Sequence, residues 1–79
     1  MKDTLQFIVA AIVDNPDDVM IDESDNAGTD TFTIHVHKDD MGKVIGKEGK
    51  IIRSIRNVMK IVAMKNNLRI NVTLADQPQ

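Results

Sequence analysis

The chain predicts an α+β fold in the order α-β-β-α-α-β, with a three-stranded sheet and helices packed on one face. Three observations lead there. Apolar residues recur at helical spacing near both ends of the chain's helical stretches, Leu5, Ile8, Val9 and Ile12 in one, Ile51, Ile55, Val58 and Val62 in the other. Strict alternation appears at Phe32, Ile34 and Val36, and again at Leu68, Ile70, Val72 and Leu74. Between them lies Val44-Ile45-Gly46-Lys47-Glu48-Gly49-Lys50-Ile51-Ile52-Arg53-Ser54, two glycines three apart at the junction of two short apolar-periodic stretches.

Asp3 or Thr4 is placed to cap a first helix that runs to about Val13 and stops at Asp14-Asn15-Pro16. Its run Leu5 to Val13 is too short to span a bilayer. Lys2 alone precedes it as a positive residue and no small-residue cleavage site follows, so an amphipathic core helix is expected rather than a secretory leader. Val19 and Ile21 alternate with Asp18, Met20 and Asp22, the pattern of a short strand. Asp25-Asn26-Ala27-Gly28 then reads as a turn between antiparallel strands. In the second strand Phe32, Ile34 and Val36 face one way, Thr33, His35 and His37 the other.

Asp39 or Asp40 is placed to cap a short helix over Met41–Ile45. The glycine turn follows, then a helix from about Lys50 to Met64 whose buried stripe is expected at Ile51, Ile55, Val58 and Val62. Ile52 and Met59 widen that stripe along one flank, and two readings stay open for it, a dimer contact and ordinary core packing. Arg53, Arg56 and Lys60 cluster on roughly the opposite side. Lys65-Asn66-Asn67 makes a polar connection to the last strand. One domain over residues 1–76 is expected, with 77–79 a loose tail.

The bulk composition bounds the function. An apolar fraction of 42% suits a folded domain of 79 residues. The absence of cysteine excludes a disulfide framework or thiolate metal site and fits a reducing cytoplasm. The net charge of −2 conceals an uneven distribution. Residues 1–40 hold ten acidic and two basic side chains, a balance of −8; residues 41–79 hold eight basic and two acidic, a balance of +6. One end of the domain therefore attracts polyanions.

The glycine turn sits in the basic half. A helix start presents unpaired amides and the positive end of its dipole, so an anion is favoured there. Gly46 and Gly49 permit backbone dihedrals that other residues resist and let a phosphate approach the main chain. Lys47 and Lys50 add mobile positive charge, and Glu48 is the one carboxylate in the loop.

His35-Val36-His37-Lys38-Asp39-Asp40 has the beginning of a dinuclear metal motif, but no further histidine exists to complete it. No Walker spacing, cysteine nucleophile or Ser-His-Asp set is present. No enzyme, metal site or cofactor is read here, and no small-molecule substrate or membrane.

These residues bring the chain close to a known family. The run Val44-Ile45-Gly46-Lys47-Glu48-Gly49-Lys50-Ile51-Ile52, set between two helices, resembles the I-G-x-x-G signature of the KH domain, and the element order resembles its type II arrangement. Asp14-Asn15-Pro16 and Gly42-Lys43-Val44-Ile45-Gly46-Lys47, in a chain this small, are similar to the stand-alone bacterial KhpA family.

The resemblance implies a three-stranded mixed sheet and a G-x-x-G loop that clamps about four nucleotides of single-stranded RNA. The site would comprise Gly46, Lys47, Glu48, Gly49 and Lys50, with Arg53 and Arg56 following the strand or stacking on bases. Val44, Ile45, Ile52, Ile34 and Val36 would form the walls of a shallow apolar groove between the helix pair and the middle strand. With Phe7 and Phe32 the only aromatic residues, stacked aromatic platforms are not expected. The resemblance also implies self-association, pairing with a larger KH-containing protein of the KhpB or Jag type, and a role in RNA regulation touching cell shape and division, as an RNA chaperone or post-transcriptional regulator. Two other readings stay open: a KH fold used as a protein-binding or dimerisation adaptor, and single-stranded DNA as ligand.

Overall fold

A computed structural model describes residues 1–75. Residue 76, given above as the domain's end, and the tail 77–79 lie outside the described residues. The elements are α1 (Lys2–Ile12), β1 (Met20–Asn26), β2 (Thr29–His35), α2 (Met41–Ile45), α3 (Lys50–Lys65) and β3 (Arg69–Leu74). Single 3₁₀ turns stand at Pro16–Asp18, Lys38–Asp40 and Lys47–Gly49. The order is the expected α-β-β-α-α-β.

Helix α1 starts two to three residues earlier than a cap at Asp3 or Thr4 would allow. Met1 is its N-cap, no side chain caps it, and Asp3 lies inside the first turn, where its charge complements the dipole. Leu5 and Val9 are buried, Ile8 is half-buried, and Ile12 lies at the exposed edge. The helix ends where Val13 turns extended.

Strand β1 runs four residues past Asp22, farther than its apolar alternation reaches. Asp22 to Asn26 are all exposed, so pairing with β2 rather than burial holds them in the sheet. The hairpin loop is the two residues Ala27 and Gly28, both with positive φ, flanked by the Asn26–Thr29 pair. Such a loop matches the right-handed twist of the strands. Strand β2 ends at His35; Val36 packs on the core just beyond it and His37 belongs to the next turn.

The sheet order is β1-β2-β3, with β1 antiparallel and β3 parallel to β2. Phe32, Ile34, Ile70, Val72 and Leu74 are buried on one face beneath the helices, while Thr31, Thr33, Arg69, Asn71 and Thr73 occupy the other. This is the mixed three-stranded sheet of the α+β reading.

Helix α3 corrects one expectation. Its buried positions are Ile52, Ile55, Met59 and Ala63, while Ile51 and Val58 are 38% and 45% exposed. The apolar arc of α3 is wide, and contact with α1 and the sheet rotates it so that the 52/59 flank faces inward. Ile52 and Met59 are therefore core, at 2% and 0% exposure, and offer no surface to a second chain. Asn67 takes a positive φ after the helix, and the Leu68 and Asn67 amides bond to the Ala63 and Met64 carbonyls. That closure turns the chain directly into β3.

Candidate nucleic-acid interface

The candidate site begins at the end of α2, a helix of five residues. A helix this short is not stable alone and depends on its anchors. Val44 is fully buried beneath it. Asp40, at its N-cap position, makes no cap bond. Instead its carboxylate is 1% exposed and accepts three hydrogen bonds: from the Asp14 amide at 3.2 Å, the Asn15 amide at 2.9 Å and the Asn15 side-chain Nδ2 at 3.1 Å. The expected helix cap thus serves as a tie between α2 and the end of α1. Burial by itself raises the Asp40 pKa; the three donors, with His37 nearby, outweigh it and hold the carboxyl below its ordinary value. Lys43 adds an exposed ion pair to Asp14 at 3.4 Å.

Beyond α2 three residues take a positive φ, with Lys47 alone between the first and the second. Gly46 has φ 76° and ψ 173°, Glu48 φ 57°, and Gly49 φ 73°. The Gly46 amide bonds back to the Gly42 carbonyl, and the Gly49 amide to the Gly46 carbonyl. The two glycines differ in what surrounds them. A Cβ on Gly46 would stand 2.5 Å from Ile51 Cγ1, whereas one on Gly49 would meet nothing within 4 Å. Gly46 is therefore a packing glycine whose empty space Ile51 of α3 fills. Gly49 is the open one. Gly46 and Gly49, grouped together in the sequence, thus differ in packing.

Gly49 is also the N-cap of α3, with no side chain bonded to the helix's first amides. Lys47, Glu48, Lys50 and Arg53 are exposed around this helix start. A sixteen-residue helix thus directs its positive end into a ring of three lysine and arginine side chains with one carboxylate.

The expected groove walls fare less uniformly. Val44, Ile34 and Ile52 are core residues and present no surface; Ile45 and Val36 are half-buried and packed against that core. The middle strand has β1 on one edge and β3 on the other, so its main chain is paired on both sides. The edge strand beside α3 is β3. Between it and α3 lies a depression of about 320 Å³ lined by Arg56, Lys60, Ile70, Asn71, Val72 and Thr73. Of these only Arg56 was singled out in the sequence as a site residue. Its guanidinium Nε donates to the Val72 carbonyl at 2.9 Å instead of extending outward. Strand order, which no local pattern reveals, is what places this depression beside β3.

The histidines play structural parts. His35 Nε2 lies 2.7 Å from Asp22 Oδ2 across the hairpin, and His37 Nδ1 accepts the Asp39 amide. Among the described residues no three His, Asp or Glu side chains converge on one point. A second depression, almost wholly apolar, lies between α1 and α3 and is lined by Ile8, Ile12, Ile51, Ser54, Ile55 and Val58.

The model of the KhpA/KhpB KH domain matches residues 2–74. The chain belongs to the KhpA/KhpB KH-domain family. It is 40% identical over 76 residues to the RNA-binding protein KhpA of Halalkalibacterium halodurans, covering 96% of this chain and all of that protein. The KhpA of Chlamydia pneumoniae is 38% identical over 77 residues, 98% of this chain and 99% of that one. The KhpA of Clostridium acetobutylicum is 40% identical over 74 residues, 94% and 99% of the two chains. No solved structure matches. This KhpA/KhpB family is one of binding domains, not of enzymes. No helix among the described residues is long and apolar enough to cross a membrane.

Proposed function

We propose that this KhpA/KhpB-family domain binds single-stranded RNA in the cytoplasm, seating the phosphate backbone on the Gly46–Gly49 turn and the bases in the groove between α3 and β3. The observation that carries this is the open position at Gly49. It leads onto the uncapped start of α3, within reach of Lys47, Lys50 and Arg53. Anions are drawn to such a point by unpaired amides, by the dipole and by mobile cations together. The relatives bear the name RNA-binding protein, which supports RNA over DNA. The ligand residues are then Gly46, Lys47, Glu48, Gly49, Lys50, Arg53 and Arg56, with Lys60 and the edge of β3 completing the groove. Val44, Ile45, Ile52, Ile34 and Val36 support it from beneath.

A footprint of about four nucleotides gives weak, loosely selective holding of exposed strands, the behaviour asked of an RNA chaperone or post-transcriptional regulator. Useful affinity then comes from linked copies, which raise effective concentration. The apolar depression at Ile8, Ile12, Ile51 and Val58 favours such pairing, with a second copy or with a larger KhpB/Jag-like protein.

The test replaces Lys47 and Glu48 together by aspartate and measures binding of a labelled single-stranded RNA octamer across salt concentrations. Wild-type affinity falls with salt at a log–log slope of about −0.7 per neutralised phosphate. The variant, folded by circular dichroism, loses most of its affinity. Equal affinity in both proteins would place the site elsewhere, and no binding by either would favour a protein-interaction adaptor.

A further inference from the structure

The outer edge of β3 is where a base would meet peptide groups, and its polarity is unusual. The Ala75 amide bonds to the Ile34 carbonyl across the parallel pair. By the alternation of a parallel ladder, the odd residues of β3 bond to β2 and the main-chain groups of Ile70, Val72 and Leu74 face outward. A bare edge of this kind offers a carbonyl and an amide side by side. Adenine matches that pair, because it places the N6 donor beside the N1 acceptor. Here the Val72 carbonyl already carries Arg56 Nε at 2.9 Å. Of five guanidinium N–H groups, four remain beside it as donors. Lys60, the other polar side chain on the helical wall, is likewise a donor only.

We infer that Arg56 sets the base preference of this groove, favouring bases with two adjacent acceptors, as in cytosine N3 and O2 or guanine O6 and N7, over adenine. The inference rests on the single-stranded RNA reading above and adds its selectivity. A fork of donors satisfies paired acceptors. An adenine N6 donor set against the same fork is left unpaired as it is desolvated, and that penalty discriminates.

The test measures binding of labelled cytosine and adenine octamers to the whole chain at neutral pH and fixed salt. The wild type should hold the cytosine octamer about fivefold or more tighter. Arg56→Met removes the donors, keeps the apolar stem and frees the Val72 carbonyl, so the ratio should fall close to one. Comparing ratios separates this effect from the general loss of positive charge. Should Arg56→Met not fold, Arg56→Lys replaces it: the charge stays, the fork goes, and the ratio should at least halve. Equal wild-type affinity for the two octamers, or a ratio unchanged in a folded variant, overturns the base preference alone. Failure to bind either octamer overturns the RNA reading and this inference with it.

Discussion

The Asp40 carboxylate receives the main-chain amide of Asn15 at 2.9 Å and its side-chain amide at 3.1 Å, from 25 residues earlier in the chain. This contact fixes the start of a helix too short to hold itself, immediately before the glycine turn. Removing it should loosen the turn as well as the fold. Asp40→Ala should lower the melting temperature by several degrees, and Asp40→Asn by less, because the amide keeps one acceptor for three donors.

The same carboxylate gives the domain an acid limit. A folded pKa below the unfolded value contributes stability that is full above the unfolded pKa and is lost as pH falls through the folded one. Wild-type stability should therefore decline below about pH 4. Denaturant titrations of wild type and Asp40→Asn between pH 6 and 3 should show the gap between them closing as pH drops.

Gly46 and Gly49 should separate in their effects. Gly46→Ala meets both an unfavourable φ and the Ile51 side chain, and should cost about 2–4 kcal/mol of stability in urea unfolding. Gly49→Ala meets only the dihedral penalty of about 1–2 kcal/mol. It should nevertheless weaken RNA binding, because the new methyl group stands where the phosphate would rest.

Two pairs of α3 residues should behave oppositely. Ile52→Ala and Met59→Ala each empty the core and should destabilise by about 2–5 kcal/mol. Ile51→Ser and Val58→Ser alter exposed positions and should leave unfolding nearly unchanged. If pairing uses the apolar depression, those serine variants should shift the protein toward the monomer in sedimentation or light scattering.

The hairpin offers a stabilising change. Ala27 holds φ 53°, a region that favours asparagine or glycine over alanine. Ala27→Asn should raise stability by about 0.5–1 kcal/mol, seen as a higher urea midpoint with an unchanged slope.

Elements with their own periodicity were legible in the sequence: α1 from Leu5 and Val9, β2 from Phe32 and Ile34, β3 from Ile70, Val72 and Leu74, and the glycine turn from its spacing. What failed to show was decided by distant neighbours. The polar half of β1 has no apolar signal because only pairing with β2 holds it. The buried flank of α3 was misplaced because nine of its sixteen residues are apolar and either edge of that arc fits a core. Asp40 looked like a cap because nothing nearby betrays a partner 25 residues away. The depression between α3 and β3 had no local signal because only the assembled sheet puts β3 at an edge.

The central claim is that RNA rests on the Gly49 side of the turn at the start of α3. Backbone amide shifts followed by NMR during titration with an unlabelled single-stranded RNA octamer test it most directly. The account predicts the largest perturbations at Gly46 to Arg53, continuing along Arg56, Lys60 and the edge of β3. Perturbations centred on α1 or the β1–β2 hairpin, with Gly49 and Lys50 unmoved, would contradict it.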